Sequence, residues 1–531
     1  MHKSACLRSW VYAEVEKSLN PSSEVGQEGH TDREGIELVF GLVGPTGVDL
    51  GMVCDELRCQ LKAVGYETIT VSLSELISPY LKINDTNFNN EYARIKALMD
   101  RGTMLRERTN QPDIVGRLGV AAIRTARQEK NGHADRPLSR VAYLVRSFKR
   151  PEEVQLFRDI YGKAFALISV YSPRPARIQH LATRIGVGAR HEQATAEELA
   201  VRLVTRDYDE EDRKLGQRVG RTFPLADYFV NVESRAVLAD HLRRLVRLTF
   251  GDPYISPTRD EQAMFFAQAA ALRSLDLSRQ VGAAVVTDDG DVLAIGCNEV
   301  PKFSGGLYWG EDLEKDRDFE RGYDSNVVIK SEIVEEAFKR LRDAGQLSEE
   351  ACGLSDRELA SESLFGDSPY LRGSRLFDVI EFGRAVHAEM AAITQASRLG
   401  ISLQGARLFC TTFPCHICAR HIVASGIRDV VFIEPYEKSR TRDLYSDSIS
   451  IEPSEPSPRR VNFRAFVGVA PRRYMAFFEL ITERKTKDAR VLDTDAIAAA
   501  PRIKRVVLTY LSLEAIVIGD TAEVPNDGSG E

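Results

Sequence analysis

The stretch CTTFPCHICARHIVASGIRDVVFIEP (410–435) decides how the chain is read. With ARLF in front of it, ARLFCTT is a short apolar run suited to a strand. CHICARHIVASG has helical spacing, and DVVFIEP is a second apolar strand run. Working outward, VHAEMAAITQAS (386–397) reads as a helix, and VGAAVVTDDGDVLAIGCNEV (281–300) as two strands joined at the DDG turn. MFFAQAAALRSLDLS (264–278) is helical in pattern. Residues 299–380, rich in Gly, Asp and Glu, form a long insertion with helix in VVIKSEIVEEAFKRLRDAG. The order ββαβαβ predicts a three-layer α/β/α domain over 249–480.

A second alternating block precedes it. IELVFGLVG (36–44) is a continuous apolar run ending in glycines, as a buried parallel strand would. LGMVCDELRCQLKAVGY then has helical spacing, and ETITVSLSELI (67–77) reads as a strand. RVAYLVRSF (140–148), AFALISVYS (164–172) and LADYFVNV (225–232) continue the series, with helical stretches such as PEEVQLFRDIYG between them. This alternation predicts an α/β, doubly wound domain over 36–248. Residues 1–35 read as a flexible arm and 481–531 as an extension. Within that extension IKRVVLTYLSLEAIVIG (503–519) is expected to add a strand or an oligomer contact, and the final residues are expected to be disordered.

Composition narrows the class of function. Hydrophobic residues at 43% and charged residues at 28% are those of a soluble globular protein. No run approaches the roughly 18 apolar residues of a membrane span, and the N-terminus lacks a secretory pattern, so a cytoplasmic location is expected. The net charge of −7 provides no overall basic field for a nucleic-acid backbone. PRRY (471–474) and the Arg-rich 94–127 segment are the only hints of a strand-binding groove, and a solvated helix face accounts for the latter. Eight irregularly spaced cysteines do not make a disulfide framework, but Cys415 and Cys418 form a CxxC.

Cys415 and Cys418 share a face of the first helical turn, where the helix dipole and backbone N–H groups favour thiolate. Two thiolates neutralise a zinc dication. Resemblance to the H-x-E…P-C-x-x-C signature of the zinc deaminases adds His387, which gives three protein ligands and leaves the fourth position open, as a catalytic zinc site needs. Glu389 is the candidate proton shuttle. Residues two apart do not share a helix face, so His387 and Glu389 can meet one metal only at a helix start. A structural zinc knuckle, with Cys410 or His416 as fourth ligand, is the competing reading, and it has no use for the carboxylate.

The H-x-E…P-C-x-x-C arrangement resembles that of the zinc deaminases. SRQVGAAVV (278–286), GCNEVP (296–301), HAEMAAI (387–393) and CTTFPCHICARHIVASGIRDVVFIEPYEKS (410–439) are similar to the deoxycytidylate deaminases of the cytidine deaminase superfamily. The resemblance implies that Asn298 contacts the sugar or base and that Arg279 lies near the phosphates. A turn for Asn298 and a surface ion pair for Arg279 are the plain alternatives. The N-terminal block is similar to P-loop nucleotide kinases, with GLVGPTGVDLG (41–51) at the loop. There Gly44 and Gly47 are kept, while Asp49, Leu50 and Gly51 stand where Gly, Lys and Ser are required, a degenerate P-loop that implies lost kinase chemistry.

A kinase-like domain fused to such a deaminase resembles the anti-phage dCTP deaminase family of bacteria. FKRPEEVQLFRDIYG, DLSRQVGAAV, NEVP with GGLYW, and FVGVAPRRY carry the likeness, which runs from about 36 to 480. It implies a zinc-dependent conversion of dCTP, and of dCMP, to the uracil nucleotides in defence against phage. It also implies a homo-oligomer whose N-terminal domain responds to an inhibitory RNA, protein or nucleotide. A nucleic-acid-editing cytidine deaminase and a housekeeping dCMP deaminase remain the alternatives.

Overall fold

The computed structural model describes residues 36–521 apart from 84–87, 187–194, 211–212, 368, 372–373, 375, 377–378, 436–438, 454–455, 481–482, 493–500 and 503–508. The expected flexible arm (1–35) and the final residues (522–531) lie outside the described residues. The chain divides into two compact units, one of residues 1–261 with 467–531 and the other of residues 262–466. That division differs from the stretches expected from sequence. The break falls at 261/262 rather than 248/249, and 467–480 goes with the N-terminal unit.

In the first unit, strands β1 (Leu38–Val43), β2 (Glu67–Ser72), β3 (Val141–Arg146), β4 (Phe165–Tyr171) and β5 (Tyr228–Asn231) are parallel in the order β5-β4-β1-β3-β2. The two-residue strand Gly468–Val469 pairs antiparallel beside β5. Every residue of β1 and β4 is buried. Val39 and Val43 enter one apolar cluster and Leu38, Phe40 and Leu42 another, as expected of a strand covered on both faces. Helix α1 (Leu50–Ala63) follows β1, helix α2 (Ile114–Asn131) precedes β3, and helix α3 (Ala196–Tyr208) follows β4.

Two expectations are corrected in this unit. ETITVSLSELI is a strand only to Ser72; Leu73–Tyr80 is a helix whose Leu73 and Ile77 are buried on one face. The segment 503–519 adds no strand where it is described: Thr509–Gly519 is a helix. Its β-branched content misled the reading, while the buried set Tyr510, Leu511, Glu514 and Ile518 follows a helical face. Glu514 is fully buried and accepts from Arg127 Nη1 at 2.6 Å and Nη2 at 2.7 Å. Glu37, beside β1, takes Arg127 Nε, the Leu138 N–H and the Tyr143 and Tyr510 hydroxyls. Two carboxylates and their donors thus lock this helix to α2 in the interior.

In the second unit, β6 (Gly282–Val286), β7 (Val292–Cys297), β8 (Arg407–Thr412), β9 (Asp429–Glu434), β10 (Ile449–Ile451) and β11 (Val461–Ala465) form one sheet in the order β10-β11-β9-β8-β6-β7. β6 runs antiparallel to β7 and β8, while β8, β9, β11 and β10 are parallel. Helices α4 (Ala388–Leu399) and α5 (His416–Ala424) pack on one face through a core that includes Ala283, Val285, Ala392, Leu408 and Ile422. Residues Ala267 and Ala271 approach the other face so closely that a Cβ on Gly282 would sit 1.9 Å from Ala267 O. The three layers expected from the sequence are present; β10 and β11 were not anticipated. The insertion contributes helices Ser325–Asp343 and Asp356–Phe365. Among the described residues no helix is long and apolar enough to cross a membrane.

Removing one partner of a buried ion pair leaves the other charge unpaired, at about 3–5 kcal/mol. Glu514→Ala is therefore expected to lower the urea midpoint markedly. Glu336→Ala, which removes an exposed i,i+4 pair with Arg340, should leave it where it was.

Candidate metal centre

The parallel strands of the second unit set the position of the site. β8 ends at Thr412 and the chain turns through Phe413 and Pro414 into Cys415, the N-cap of α5. Phe413 is wedged edge-on against Phe432, with ring centroids 4.9 Å apart, and the hydroxyls of Ser439 and Thr441 donate to Pro414 O. His387 is likewise the N-cap of α4. Its neighbour Val386 is held by a two-way backbone bridge to Glu299, just beyond β7. α4 lies so near β7 that a Cβ on Gly296 would come within 2.3 Å of Ala388 O; only glycine allows that approach.

These placements bring His387, Cys415 and Cys418 together, with ligand atoms within 4.8 Å of one another. His387 Nδ1 is 3.3 Å from Cys415 Sγ and 3.4 Å from Cys418 Sγ. Neither Cys410 nor His416 joins the cluster, so the fourth protein ligand of a structural knuckle is not in place among the described residues. Glu389, in the first turn of α4, is 4% exposed.

The electrostatics follow from crowding. A hydrogen bond from the Cys418 thiol and the nearby His387 hold Cys415 well below the usual thiol range against the opposing effect of burial. The Cys415 thiolate in turn pushes His387 up to about 9. Hydrogen bonding to Cys415 and burial keep Cys418 protonated, well above the usual thiol range. Burial, and next the Cys415 charge, raise the Glu389 carboxyl above its ordinary value. Two thiolates cannot coexist here without a cation between them. One imidazole and two thiols on adjacent helix starts are a donor set that fits zinc with three protein ligands.

A cavity of about 200 Å³ reaches this cluster, lined by His387, Glu389 and Cys415. Asn298 and Arg279 also line it. The Asn298 amide is engaged locally, accepting from the Val281 N–H and donating to Arg279 O, both at 2.7 Å. Arg279 Nη1 lies 3.1 Å from Glu434. Sequence reasoning missed Asp276, Asp318, Asp324, Asn326 and Arg384 in the same wall. The insertion supplies three of these, and no local pattern links them to a motif some 60 residues away. Arg384 stands three residues before His387, which was a usable signal.

Gly44 and Gly47 make the turn between β1 and α1, with Gly47 at φ +99°. Asp49 caps α1 by accepting from the Met52 N–H. The Thr46 N–H donates to the buried Asp207 carboxylate of α3 at 2.6 Å, and Lys149 Nζ lies 2.7 Å from its other oxygen.

If the three residues hold the metal together, Cys415→Ala and His387→Ala should each lower the zinc content of purified protein from near one per chain to a small fraction. His416→Ala should leave it unchanged. Atomic emission on the dialysed variants reads this directly.

Comparison with known proteins agrees with the geometry. Residues 257–434 match the cytidine and deoxycytidylate deaminase zinc-binding region. The chain is 44% identical over 55 residues to the deoxycytidylate deaminase of Enterobacteria phage T2, covering 10% of this chain and 29% of that enzyme. It is 31% identical over 132 residues to a probable deoxycytidylate deaminase of Drosophila melanogaster, covering 23% of this chain and 63% of that protein. It thus spans less than two thirds of the length of either. Among solved structures, the dCMP deaminase from the cyanophage S-TIM5 in complex with dCMP and dUMP aligns with 40% of this chain and 100% of its own, at 18% identity and a TM-score of 0.22.

Proposed function

We propose that the protein is a hydrolytic deaminase that converts dCTP and dCMP to dUTP and dUMP, depleting deoxycytidine nucleotides as a bacterial defence against phage. The observation that carries this reading is the His387, Cys415 and Cys418 cluster opening, beside Glu389, into one cavity. The deoxycytidylate deaminases among its relatives support the cytosine ring and the deoxyribose. The defence role rests on the resemblance of the whole chain from about 36 to 480.

Zinc held by His387, Cys415 and Cys418 would supply Lewis acidity that makes water a nucleophile at neutral pH. The protein's own part is to manage protons and position. Glu389 accepts a proton from the attacking water, delivers it to N3 of the cytosine ring, and passes a second to the departing ammonia. Burial raises its carboxyl above the ordinary carboxylate value, the direction that suits a group which must give a proton as well as take one. Asn298 fixes the 279–281 segment by its two backbone bonds and so shapes the wall against which sugar and base would lie.

Ammonia release from dCTP, dCMP, CTP and cytidine tests the reading. Turnover of the deoxynucleotides is expected, with little from cytidine or from a single-stranded oligonucleotide. Failure with both deoxynucleotides in zinc-loaded protein would overturn it. Glu389→Gln should keep its zinc yet lose about 10²-fold or more in kcat, the scale of lost general acid and base catalysis. Full activity in that variant would remove Glu389 from the role.

For the N-terminal unit we propose a regulatory part with a degenerate P-loop that processes no nucleoside triphosphate. The Thr46 N–H and Lys149 are spent on Asp207, and Leu50 replaces the required lysine. No phosphate release from ATP or GTP is expected from the full chain under conditions where deamination is measured; steady hydrolysis would contradict this.

A further inference from the structure

PRRY (471–474) carries two adjacent arginines that the deaminase reading leaves without a role. In the first unit Pro471–Arg473 forms a short 3-10 turn, just after the strand Gly468–Val469 that pairs with β5. There Arg472 and Arg473 meet Arg158, of the helix Pro151–Tyr161, around one buried carboxylate, Asp227, which directly precedes β5. Asp227 Oδ1 is 3.4 Å from Arg472 Nε, 3.4 Å from Arg473 Nε and 3.6 Å from Arg158 Nη2. Its other oxygen accepts the Leu167 N–H at 2.8 Å. Among the described residues no second carboxylate pairs with these arginines, so three positive charges face one negative.

The surplus is felt inside the cluster. Burial, with the charges of Arg472 and Arg473 adding to it, pushes the Arg158 guanidinium down to about 10 in spite of Asp227. Backbone carbonyls hold the three groups without cancelling their charge. Arg158 Nη2 and Arg472 Nη1 donate to Leu225 O, and Arg473 Nη2 donates to Phe165 O. Each guanidinium carries five N–H donors in a planar fork that matches the oxygens of a phosphate, so donors remain. The buried Arg473 Nε has no hydrogen-bond partner among the described residues. Arg472 is 44% exposed at its side chain, against 15% for Arg158 and 20% for Arg473, so the cluster is reached from the Arg472 side.

The position is separate from the degenerate P-loop. Phe165 opens β4 and Asp227 precedes β5, which places the cluster at the opposite edge of the parallel sheet from the turn after β1. Two surplus charges match a terminal phosphate, which carries roughly two negative charges near pH 7, better than a phosphodiester, which carries one. A nucleic-acid strand also asks for free stacking rings, whereas Tyr474 and Phe478 pack edge-on against each other, with ring centroids 5.0 Å apart.

We propose that Arg158, Arg472 and Arg473 form a binding site for a terminal phosphate group, with Asp227 holding the three guanidiniums in register. The site gives the N-terminal unit a ligand of its own, independent of the metal centre and of any nucleotide at the turn after β1.

The test is titration calorimetry on the full zinc-loaded chain at constant ionic strength, with inorganic phosphate, AMP and dimethyl phosphate as probes. Inorganic phosphate and AMP should bind saturably at millimolar concentrations, and dimethyl phosphate, a diester, should bind far more weakly. A tighter Kd for AMP than for inorganic phosphate would assign the phosphate to a nucleotide, and an equal one to the free ion. Arg472→Gln should raise both Kd values on the order of tenfold or more, the scale of one charge-assisted contact. Arg472→Lys keeps the charge without the fork and should show a smaller rise, so it reports even if the glutamine variant folds poorly. Arg340→Gln, which alters an exposed arginine paired with Glu336, should leave both Kd values unchanged. Melting temperature without phosphate and zinc content serve as controls for folding. Absence of saturable binding by inorganic phosphate and AMP would overturn the inference, as would Kd values unmoved in both Arg472 variants, or equal affinity for the diester.

Discussion

Two buried thiols and one imidazole facing each other at 3.3 to 3.4 Å cannot all hold their metal-binding protonation states unless a cation sits among them. That mutual constraint organises the second unit. Without a cation the charge separates, Cys415 as thiolate, His387 as imidazolium and Cys418 as thiol. A dication reverses the balance by favouring neutral imidazole and two thiolates together. Glu389 sits close enough to feel the Cys415 charge, so its proton affinity depends on which of these states the cluster adopts.

The surrounding structure holds the three ligands at that spacing. Each side of the cluster starts a helix, His387 for α4 and Cys415 for α5. The N–H groups and dipoles at those starts favour negative charge. The Glu299 and Val386 bridge fixes the chain entering His387, while Ser439 and Thr441 fix Pro414 before Cys415. Gly296 lets α4 settle against β7. A helix start also resolves the difficulty of His387 and Glu389, two residues apart. His387 has extended backbone (ψ 154°) and Glu389 is helical, so the face rule for helical neighbours does not apply between them.

What was legible in the sequence was local. HAE, PCxxC and the flanking apolar runs are short-range patterns, and each specified both an element and a donor. The buried strands β1 and β4 were equally plain, because both faces are covered and the runs are continuously apolar. The misreadings arose where a residue's role depends on a distant partner. Val and Ile in the 503–519 segment suggested a strand, but Glu514 needs Arg127, and that pairing is satisfied from a helix. Asp318 and Asp324 belong to no motif within the acidic insertion, and only the fold carries them to the cavity wall. β10 and β11 are three and five residues long, too short to register as periodic runs.

The two units use one local device, a strand that turns into a helix start, to opposite effect. In the second unit the turn after β8 delivers a thiol to a cluster with no acidic residue among its ligands, and the cavity beside it is open to a ligand. In the first unit the turn after β1 meets carboxylates of the chain itself, with Asp49 on the helix cap and Asp207 on the Thr46 N–H. Lys149, a cation a phosphate would otherwise attract, is neutralised by the same Asp207. An oxyanion entering that turn would have to displace a fully buried carboxylate and its two bonds, whereas a cation entering the second site meets one thiolate and a thiol that can become a second. The same helix-start electrostatics thus leave one turn self-satisfied and the other dependent on an added ion, which is why the chemistry of the chain is to be sought at His387, Cys415 and Cys418.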